Sequence, residues 1–382
     1  YLLALILFMP LMGGLLAYVI PTKSGIIGSS FLSITTILGV YYLSFFHGVI
    51  WIFQFEWLPG YLLGFSVDRC SAVLILLVSL ISFLVHIFSI FYLSGDNHEN
   101  RYYLKLGFFT FSMLGLLMSD HLILIFIFWE LVGFSSYMLI IFWFKNFKNA
   151  KAGRIAFMTN RITDLILFVG LLMLMGSGND GFISNLGQLT SNTSSTTIGI
   201  CLLIGVLGKS AQFPFFTWLP RAMVGPVPVS ALIHAATMVA AGVYLLFRIY
   251  EVFDPYLLDW IAALGLLTAF LAALIAIYQT DIKAVLAYST ISQLGYMVMG
   301  MGVGAYDMAM FHLWTHAFFK AGLFLCIGSV IRYLSIQVPA TDVQDMRCMG
   351  GLKSYLPFTF WSYLVCMMAL VGLPFFSGFI SK

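Results

Sequence analysis

Residues 196–219 read TTIGICLLIGVLGKSAQFPFFTWL, and this stretch decides the fold class. It is long and apolar enough to cross a bilayer, because a transmembrane helix needs about 20 apolar residues. Lys209 places a charge near mid-membrane, where an ionised group costs at least ~3 kcal/mol. Pro214 removes a backbone hydrogen bond and disfavours helix at the preceding residue. A broken helix is tolerated at membrane depth where protein shields it or it lines a cavity, so the stretch predicts a functional break.

Comparable apolar segments fill the chain almost end to end. Of its 382 residues, 61% are hydrophobic and 9% are charged, whereas a soluble globular protein has roughly 25% charged residues. We predict an all-α integral membrane protein, a polytopic bundle of about 12 transmembrane helices with inverted repeats and two broken helices. The predicted spans lie near 1–20, 26–50, 71–93, 104–118, 121–144, 154–175, 196–219, 226–249, 257–278, 284–304, 308–333 and 354–382.

Charge and cysteine content argue against other classes of protein. The net charge of +3 is too small to indicate nucleic-acid binding. The five cysteines are scattered and form no C-x-x-C pair, so the sequence indicates neither a disulfide framework nor a metal cluster. No pattern of haem, flavin or iron–sulfur ligands is present in the sequence.

Basic residues are distributed unevenly between the loops on the two sides of these spans. Twelve lie in odd-numbered loops, and two, Arg69 and Arg248, lie in even-numbered loops. Because cytoplasmic or matrix loops carry the excess of Lys and Arg, the odd loops are predicted to face that side and the N-terminus the outer side. The twelve residues are Lys23, Arg101, Lys105, Lys145, Lys148, Lys151, Arg154, Arg221, Lys283, Arg332, Arg347 and Lys353.

The last span carries a second break, at 372–378, with Lys382 just after it. Span seven runs inward and span twelve outward, so Lys209 and Lys382 lie on the same side of their breaks. Paired broken helices indicate an inverted repeat with sites at its centre, although two proline kinks with snorkelling lysines are the alternative. Because the last apolar segment stops at Lys382, we expect the chain to be the N-terminal piece of a longer protein.

The predicted division of the single membrane domain 1–382 is 1–103 (N-terminal helices), 104–250 (first half-repeat) and 257–382 (second half-repeat, truncated at its C-terminus).

Span eleven carries His312, His316 and Lys320 at positions i, i+4 and i+8, which places them on one helix face. Histidine titrates near neutral pH and can accept and donate protons, so we favour a proton relay. Zinc binding is the alternative for the His-x-x-x-His pair. No Cys or carboxylate lies nearby in sequence as a third ligand, and Lys320 would repel a cation.

Further ionisable residues lie inside other spans. We predict that Glu130, in the fifth span, pairs with Lys209 and that this pair opens and closes as protons arrive. A permanent structural salt bridge is the alternative. Arg161 and Asp164 are three residues apart and are predicted to pair with each other. His234, taken alone in an apolar helix, is predicted to be a hydrogen-bonded core residue rather than part of a relay.

Several motifs resemble those of chain 5 of the NADH–quinone oxidoreductases, respiratory complex I. The motifs are 128–137 (FWELVGFSSY), 160–164 (NRITD), 208–212 (GKSAQ), 225–238 (GPVPVSALIHAATM), 281–290 (DIKAVLAYST), 311–320 (FHLWTHAFFK) and 344–351 (QDMRCMGG). The resemblance covers essentially the whole chain. It implies an antiporter-like proton-pumping subunit of the membrane arm.

The resemblance also implies roles for individual residues. Arg161 and Asp164 match a pair that supports coupling. The resemblance implies that eight residues take part in proton translocation: Glu130, Lys209, His234, Lys283, His312, His316, Lys320 and Lys382.

Cofactors, partners and location follow from the same resemblance. It implies no cofactor on this chain, with NADH, FMN, iron–sulfur clusters and ubiquinone bound by other subunits of an NADH:ubiquinone reductase. It implies contact with a neighbouring antiporter-like subunit, with membrane lipids and with a second polypeptide carrying further C-terminal helices. The expected location is the mitochondrial inner membrane, with the bacterial plasma membrane as the alternative.

Two other functions compete with this one. The first is a sodium/proton antiporter subunit of the multisubunit type, and the second is a structural membrane anchor without transport.

Overall fold

The structure, a computed structural model, describes residues 1–46, 51–59, 61–178, 180–188, 196–337 and 343–382. This part of the chain is almost entirely helical. Its α-helices are α1 Leu2–Val19, α2 Ser24–Ser44, α3 Arg69–Tyr92, α4 Glu99–Met118, α5 Leu122–Ile140, α6 Phe147–Gly176, α7 Thr196–Lys209, α8 Trp218–Arg221, α9 Val227–Ala235, α10 Met238–Arg248, α11 Pro255–Ile277, α12 Ile282–Gly302, α13 Tyr306–Gln337, α14 Pro357–Val371 and α15 Ser377–Ser381. Short 3₁₀ helices are found at Pro21–Lys23, Ile183–Gln188, Ala222–Val224, Tyr250–Val252 and Met346–Cys348.

Side-chain caps define where several helices begin. Asp68 accepts a hydrogen bond from the Ser71 amide at the start of α3. Asp254 and Asp281 cap α11 and α12 in the same way. A side-chain oxygen at this position satisfies a backbone N–H that has no partner inside the helix. The caps therefore fix helix ends where hydropathy alone leaves them uncertain.

The helices account for the predicted spans and confirm the all-α polytopic fold. Among the described residues, eight helical segments are long and apolar enough to cross a membrane, and α7 and α14 are shorter apolar helices. The remaining two, α4 with 20 residues and α12 with 21, are also long enough to span. The predicted breaks are present, since α7 and α8 flank 210–217 and α14 and α15 flank 372–376.

A further break, which the sequence analysis missed, separates α9 from α10 at Ala236 and Thr237. Thr237 has φ −121° and ψ −103°, outside the helical region. Its hydroxyl donates to the Leu232 carbonyl at 2.7 Å and so satisfies one group left free by the break. No proline or glycine marks this position, which explains why sequence did not predict it.

An antiparallel β-hairpin, also not predicted, precedes α3. Its strands are β1 Trp51–Leu58 and β2 Tyr61–Val67, with Phe53 opposite Phe65. The second predicted span, 26–50, ends sooner than expected, since α2 stops at Ser44, and residues 47–50 lie outside the described part of the chain. The hairpin lies between the second and third predicted spans, where no secondary structure was predicted.

Helix packing follows a similar order in the two halves of the chain. In the first half α4 packs on α5 and α6 on α7, and in the second half α11 packs on α12 and α13 on α14. Glycines permit the closest approach, because a Cβ on Gly265 would collide with the backbone at Gly295 and Met299. This order is compatible with the predicted half-repeats, which remain a prediction.

Buried Arg248, at the end of α10, binds a partly exposed carboxylate before α3 and a buried carboxylate between α4 and α5. Arg248 binds the Asp68 carboxylate at 2.5 Å and approaches the Asp120 carboxylate at 3.6 Å. Asp120 also accepts hydrogen bonds from the Ser184 amide and hydroxyl. The side chains of Arg248 and Asp120 are 8% and 1% exposed, so water cannot replace these partners.

Arg248→Met is therefore expected to lower the free energy of unfolding by about 3–5 kcal/mol, the usual cost of leaving a buried charge unpaired. Thermal unfolding of the solubilised protein measures this loss. The matched control is Arg347→Met, because Arg347 forms its ion pair with Asp345 at the exposed surface. Equal unfolding temperatures for the two variants would contradict the structural role of Arg248.

Candidate functional site

Lys209 ends α7 directly before the first break, and its side chain is completely buried. Its ammonium lies 3.2 Å from Oδ2 of Asp164 on α6. Oδ1 of Asp164 accepts a hydrogen bond from the Trp129 indole at 2.6 Å. The ammonium also lies 5.0 Å from the centre of the Trp129 ring. A buried charge is tolerated only when paired and hydrogen-bonded, and this pair satisfies both conditions.

Glu130 and Arg161 form a second ion pair next to the first. Their side chains are less deeply placed, with 18% of Glu130 and 35% of Arg161 exposed. The guanidinium also lies over the Phe157 ring at 4.7 Å. The four charges thus form two parallel pairs that connect α5 with α6 and α6 with α7.

This arrangement corrects two predictions. Glu130 does not pair with Lys209, and Arg161 does not pair with Asp164. The physical reason is depth: the fully buried ammonium takes the deeper carboxylate, and the half-exposed guanidinium takes the shallower one. The same four residues form the two pairs, but with the partners exchanged.

Gly133 on α5 leaves the room that the Lys209 ammonium occupies. A Cβ added at Gly133 would lie 3.0 Å from Lys209 Nζ and 4.0 Å from Asp164 Oδ2. Because the ammonium is the nearer of these two atoms, a larger side chain at position 133 would collide with Lys209 before it reached Asp164.

Gly133→Val is expected to displace Lys209 from Asp164 and to lower the free energy of unfolding by about 1.5–3 kcal/mol, the loss of about one charge-assisted hydrogen bond. Thermal unfolding of the solubilised protein is the measurement. Gly176→Val is the control, because a Cβ there meets nothing within 4 Å. An unimpaired Gly133→Val variant would show that the ammonium position is not critical.

Lys320, fully buried on α13, is the centre of a second group of ionisable side chains. It donates to the Ser289 hydroxyl at 2.6 Å and to the Leu286 carbonyl at 3.3 Å, both on α12. No acidic side chain forms an ion pair with it among the described residues. A lysine held by neutral acceptors can exchange its proton without breaking an ion pair.

His316 and His312 extend this group along α13, as the spacing predicted. Their ring centres are 6.3 Å apart. His312 contacts the Ser381 hydroxyl at 2.9 Å through Nδ1 and the Gln293 amide oxygen at 3.1 Å through Nε2. Both histidines are buried, and His316 Nε2 has no hydrogen-bond partner among the residues that the structure describes.

His234 brings the first half of the chain to this group. It lies in the last turn of α9, is 1% exposed, and packs with its ring centre 5.1 Å from that of Phe324 on α13. Phe324 lies one turn after Lys320, so His234 meets the same face of α13 as Lys320. His234, His312, His316 and Lys320 therefore form one cluster of ionisable side chains.

The two remaining predicted lysines are placed differently. Lys382 follows α15 and donates to the Leu370 carbonyl at 2.6 Å across the second break. Lys283, 2% exposed near the start of α12, donates to the carbonyls of Met223 and Gly225 at 3.2 and 3.3 Å. Lys283 thus anchors the loop after the first broken helix to α12, and its hydrogen bonds do not reach the other predicted residues.

Sequence reasoning missed the neutral partners of these charges. Trp129, Ser289, Gln293 and Ser381 supply the hydrogen bonds described above. Ser381 could have been noticed only as the neighbour of Lys382, and Gln293 only as a polar residue inside an apolar span. No three His, Cys, Asp or Glu side chains of the described residues come together as metal ligands.

Comparisons with known proteins identify the family of this chain. The sequence profile described as "NADH:quinone oxidoreductase/Mrp antiporter, TM" matches residues 119–382. The chain belongs to the NADH:quinone oxidoreductase/Mrp antiporter family. A second profile, "NADH-Ubiquinone oxidoreductase (complex I), chain 5 N-terminus", matches residues 61–103 of this family member. The resemblance drawn from the motifs is confirmed.

Individual members of the NADH:quinone oxidoreductase/Mrp antiporter family are also similar. The chain is 47% identical over 335 residues to the NAD(P)H-quinone oxidoreductase chain 5 of Synechocystis sp., covering 84% of this chain and 49% of that one. It is 41% identical over 394 residues to the NADH-ubiquinone oxidoreductase chain 5 of Neurospora crassa, covering 99% and 54%. A chain in the structure of the Mrp complex from Dietzia sp. has TM-score 0.88 and 31% identity, covering 100% of this chain and 42% of that one. The chain spans about half the length of the curated relatives it matches.

Proposed function

We propose that this chain translocates protons as a membrane-arm subunit of an NADH–quinone oxidoreductase. The observation that carries the proposal is the fully buried Lys209–Asp164 pair at a helix break, with the Lys320 cluster in the same bundle. Names of the relatives in cyanobacteria and fungi support the choice of complex. In this function, protons move along the polar side chains while electrons move on other subunits.

Energetics favour several coupled sites over one gate. Moving one charge against 100 mV requires about 2.3 kcal/mol. A coupling change of one pKa unit between two groups supplies about 1.4 kcal/mol. The two ion pairs and the Lys320 cluster together offer enough coupled groups for this work, with Glu130, Lys209, His234, His312, His316, Lys320 and Lys382 as the relay. Lys283 joins it only through bound water, because its own hydrogen bonds go to the carbonyls of Met223 and Gly225.

The remaining assignments follow from the same function. NADH, FMN, iron–sulfur clusters and ubiquinone are expected on other subunits, with no redox chemistry on this chain. A neighbouring antiporter-like subunit and a second polypeptide with further helices are the expected partners. The expected location is the mitochondrial inner membrane, with the N-terminus on the intermembrane-space side because the basic loops select the opposite side.

A sodium/proton antiporter subunit is the second candidate, supported by the similarity to a chain of the Mrp complex from Dietzia sp.. The intramembrane charges serve both functions equally well. What differs is the driving force, which is electron transfer in one case and an ion gradient in the other.

Purification of the native complex through a tag on this chain tests the proposal. We expect FMN and iron–sulfur subunits to co-purify, and NADH oxidation in membrane vesicles to drive proton uptake that is independent of sodium. Co-purification without redox subunits, together with sodium-dependent proton exchange, would favour the antiporter instead.

A further inference from the structure

Trp129 on α5 contacts both members of the Lys209–Asp164 pair, and it is completely buried. Its indole N–H donates to Asp164 Oδ1 at 2.6 Å, while the Lys209 ammonium donates to Oδ2 at 3.2 Å. The same ammonium lies 5.0 Å from the centre of the Trp129 ring. A cation within about 6 Å of an aromatic ring centre is attracted to the face of the ring. One side chain therefore stabilises the carboxylate through its N–H and the ammonium through its ring face.

The Asp164 carboxylate depends on these two donors. Among the described residues, its side-chain oxygens accept hydrogen bonds from Trp129 and Lys209 alone. Arg161, one turn earlier on α6, is paired with Glu130 and does not replace either donor. When the Lys209 ammonium moves away, the indole is the one donor that stays on the carboxylate.

Proton translocation requires this ion pair to open, because a permanent pair holds the proton of Lys209 in place. The break after α7 supplies an acceptor for the ammonium in the open state. The amide nitrogen of Gln212 donates to the Ser210 carbonyl at 2.8 Å, and its Oε1 is buried without a partner among the described residues. Opening also leaves the Asp164 carboxylate behind, and a buried carboxylate without any donor is strongly unfavourable.

We propose that Trp129 is a positioning residue that allows the pair to open. Its indole N–H stays on Asp164 while the Lys209 ammonium moves away, so the carboxylate always keeps a donor. In this step the ammonium retains its protons, and only the hydrogen bond between Lys209 and Asp164 is broken. The inference rests on the proposed function and adds to it a neutral residue that is not part of the ionisable relay.

Loss of the indole N–H affects the open pair more than the closed pair. In the closed pair the Lys209 ammonium has three N–H donors and serves the carboxylate by itself. In the open pair nothing replaces the indole, and Asp164 avoids an unpaired charge only by taking up a proton. Opening then depends on a proton, so its rate falls as the pH rises. The other charges at the site, Arg161 and Glu130, are paired with each other and keep their partners.

Three replacements of Trp129 separate the N–H donor from the ring. Trp129→Phe keeps an aromatic face and loses the donor, whereas Trp129→Gln keeps an N–H donor and loses the ring. Replacing Trp129 by benzothienylalanine exchanges the N–H for sulfur in a ring of similar size, so this variant decides the question if phenylalanine leaves a cavity that prevents assembly. Trp143→Phe is the matched control, because the Trp143 indole donates to the Asp96 carboxylate at 3.1 Å at the exposed surface.

The readout is the rate of NADH-driven proton translocation in membrane vesicles that contain the whole complex, measured as a function of pH. We expect Trp129→Phe and the benzothienylalanine variant to be about tenfold slower than wild type at high pH, the effect of losing about one charge-assisted hydrogen bond. At low pH both should approach the wild-type rate. Trp129→Gln is expected to recover most of the rate at high pH, and Trp143→Phe should match wild type at every pH.

Failure of the inference can be distinguished from failure of the proposed function. If the two variants without the donor keep the wild-type rate and pH profile while Lys209→Met stops translocation, the inference is overturned and the function stands. A loss that is equal at every pH, or a Trp129→Gln variant as slow as Trp129→Phe, also overturns it, because the indole then acts through packing. If Lys209→Met also translocates normally, both the inference and the proposed function fail.

Discussion

Lys209→Met is expected to slow proton translocation by the assembled complex at least about tenfold. The ammonium is fully buried and forms the ion pair with Asp164, so methionine removes the group of that pair that holds a transferable proton. Removing one partner of a buried pair also costs about 3–5 kcal/mol, because the other charge is left unpaired. NADH-driven proton uptake by vesicles, at a measured rate of electron transfer, tests the expectation.

The double variant Lys209→Met with Asp164→Asn separates function from stability. Without the unpaired carboxylate, the double variant should regain stability and assembly but not translocation. Lys105→Met controls for the loss of a lysine from the bundle, since Lys105 donates only to the Met138 carbonyl and lies over the Phe142 ring. Unchanged translocation in an assembled Lys209→Met complex would favour a structural membrane anchor.

Lys320→Met is expected to have an effect of similar size, at least about tenfold on translocation. Lys320 is completely buried, and its charge acts on both His234 and His316. Methionine matches the length of the side chain but leaves the Ser289 hydroxyl without its donor. The same vesicle assay measures the loss.

Two comparisons make the Lys320 result specific. Lys353→Met removes a lysine that lies over the exposed ring of Trp361 and should translocate normally. Ser289→Ala removes one acceptor but keeps the ammonium, so we expect a smaller loss than in Lys320→Met. A Lys320→Met complex that pumps at the wild-type rate would remove the second cluster from the proton path.

Much of this fold could be predicted because a bilayer imposes strong rules on sequence. The length of the apolar segments and the need for backbone hydrogen bonds inside each segment predicted the helices. Proline with glycine nearby predicted the breaks at Pro214 and Pro374. The break at Thr237 carries neither residue, so only tertiary structure reveals it. Strands β1 and β2 lie between the predicted spans 26–50 and 71–93, in a stretch for which no secondary structure was predicted.

The sequence indicated which charged residues belong to the candidate site, but not which of them form ion pairs with each other. Ionisable residues in apolar spans are visible in sequence, because hydrocarbon makes them costly. Which carboxylate faces Lys209 depends on the rotation and depth of α5 and α6, and these are set by packing. The contact of His312 with Ser381 joins residues 69 positions apart, which helical spacing cannot indicate.

The two groups of charges are linked by broken helices rather than by a direct ion pair. Lys209 is followed by the α7–α8 break, and His234 lies just before the α9–α10 break. Within the described residues, buried polar atoms without protein partners lie near both breaks, at Gln212 Oε1 and His234 Nδ1. The freed polar groups of the breaks therefore make this central region the natural place for bound water.

An experimental structure of the intact complex that resolves bound water is the most direct test of this account. The account predicts an unbroken series of side-chain and water atoms at hydrogen-bond distances from Lys209 through His234 and Lys320 to Lys382. A dry apolar layer, wider than a water bridge can cross, between Lys209 and His234 or between Lys320 and Lys382 would contradict it.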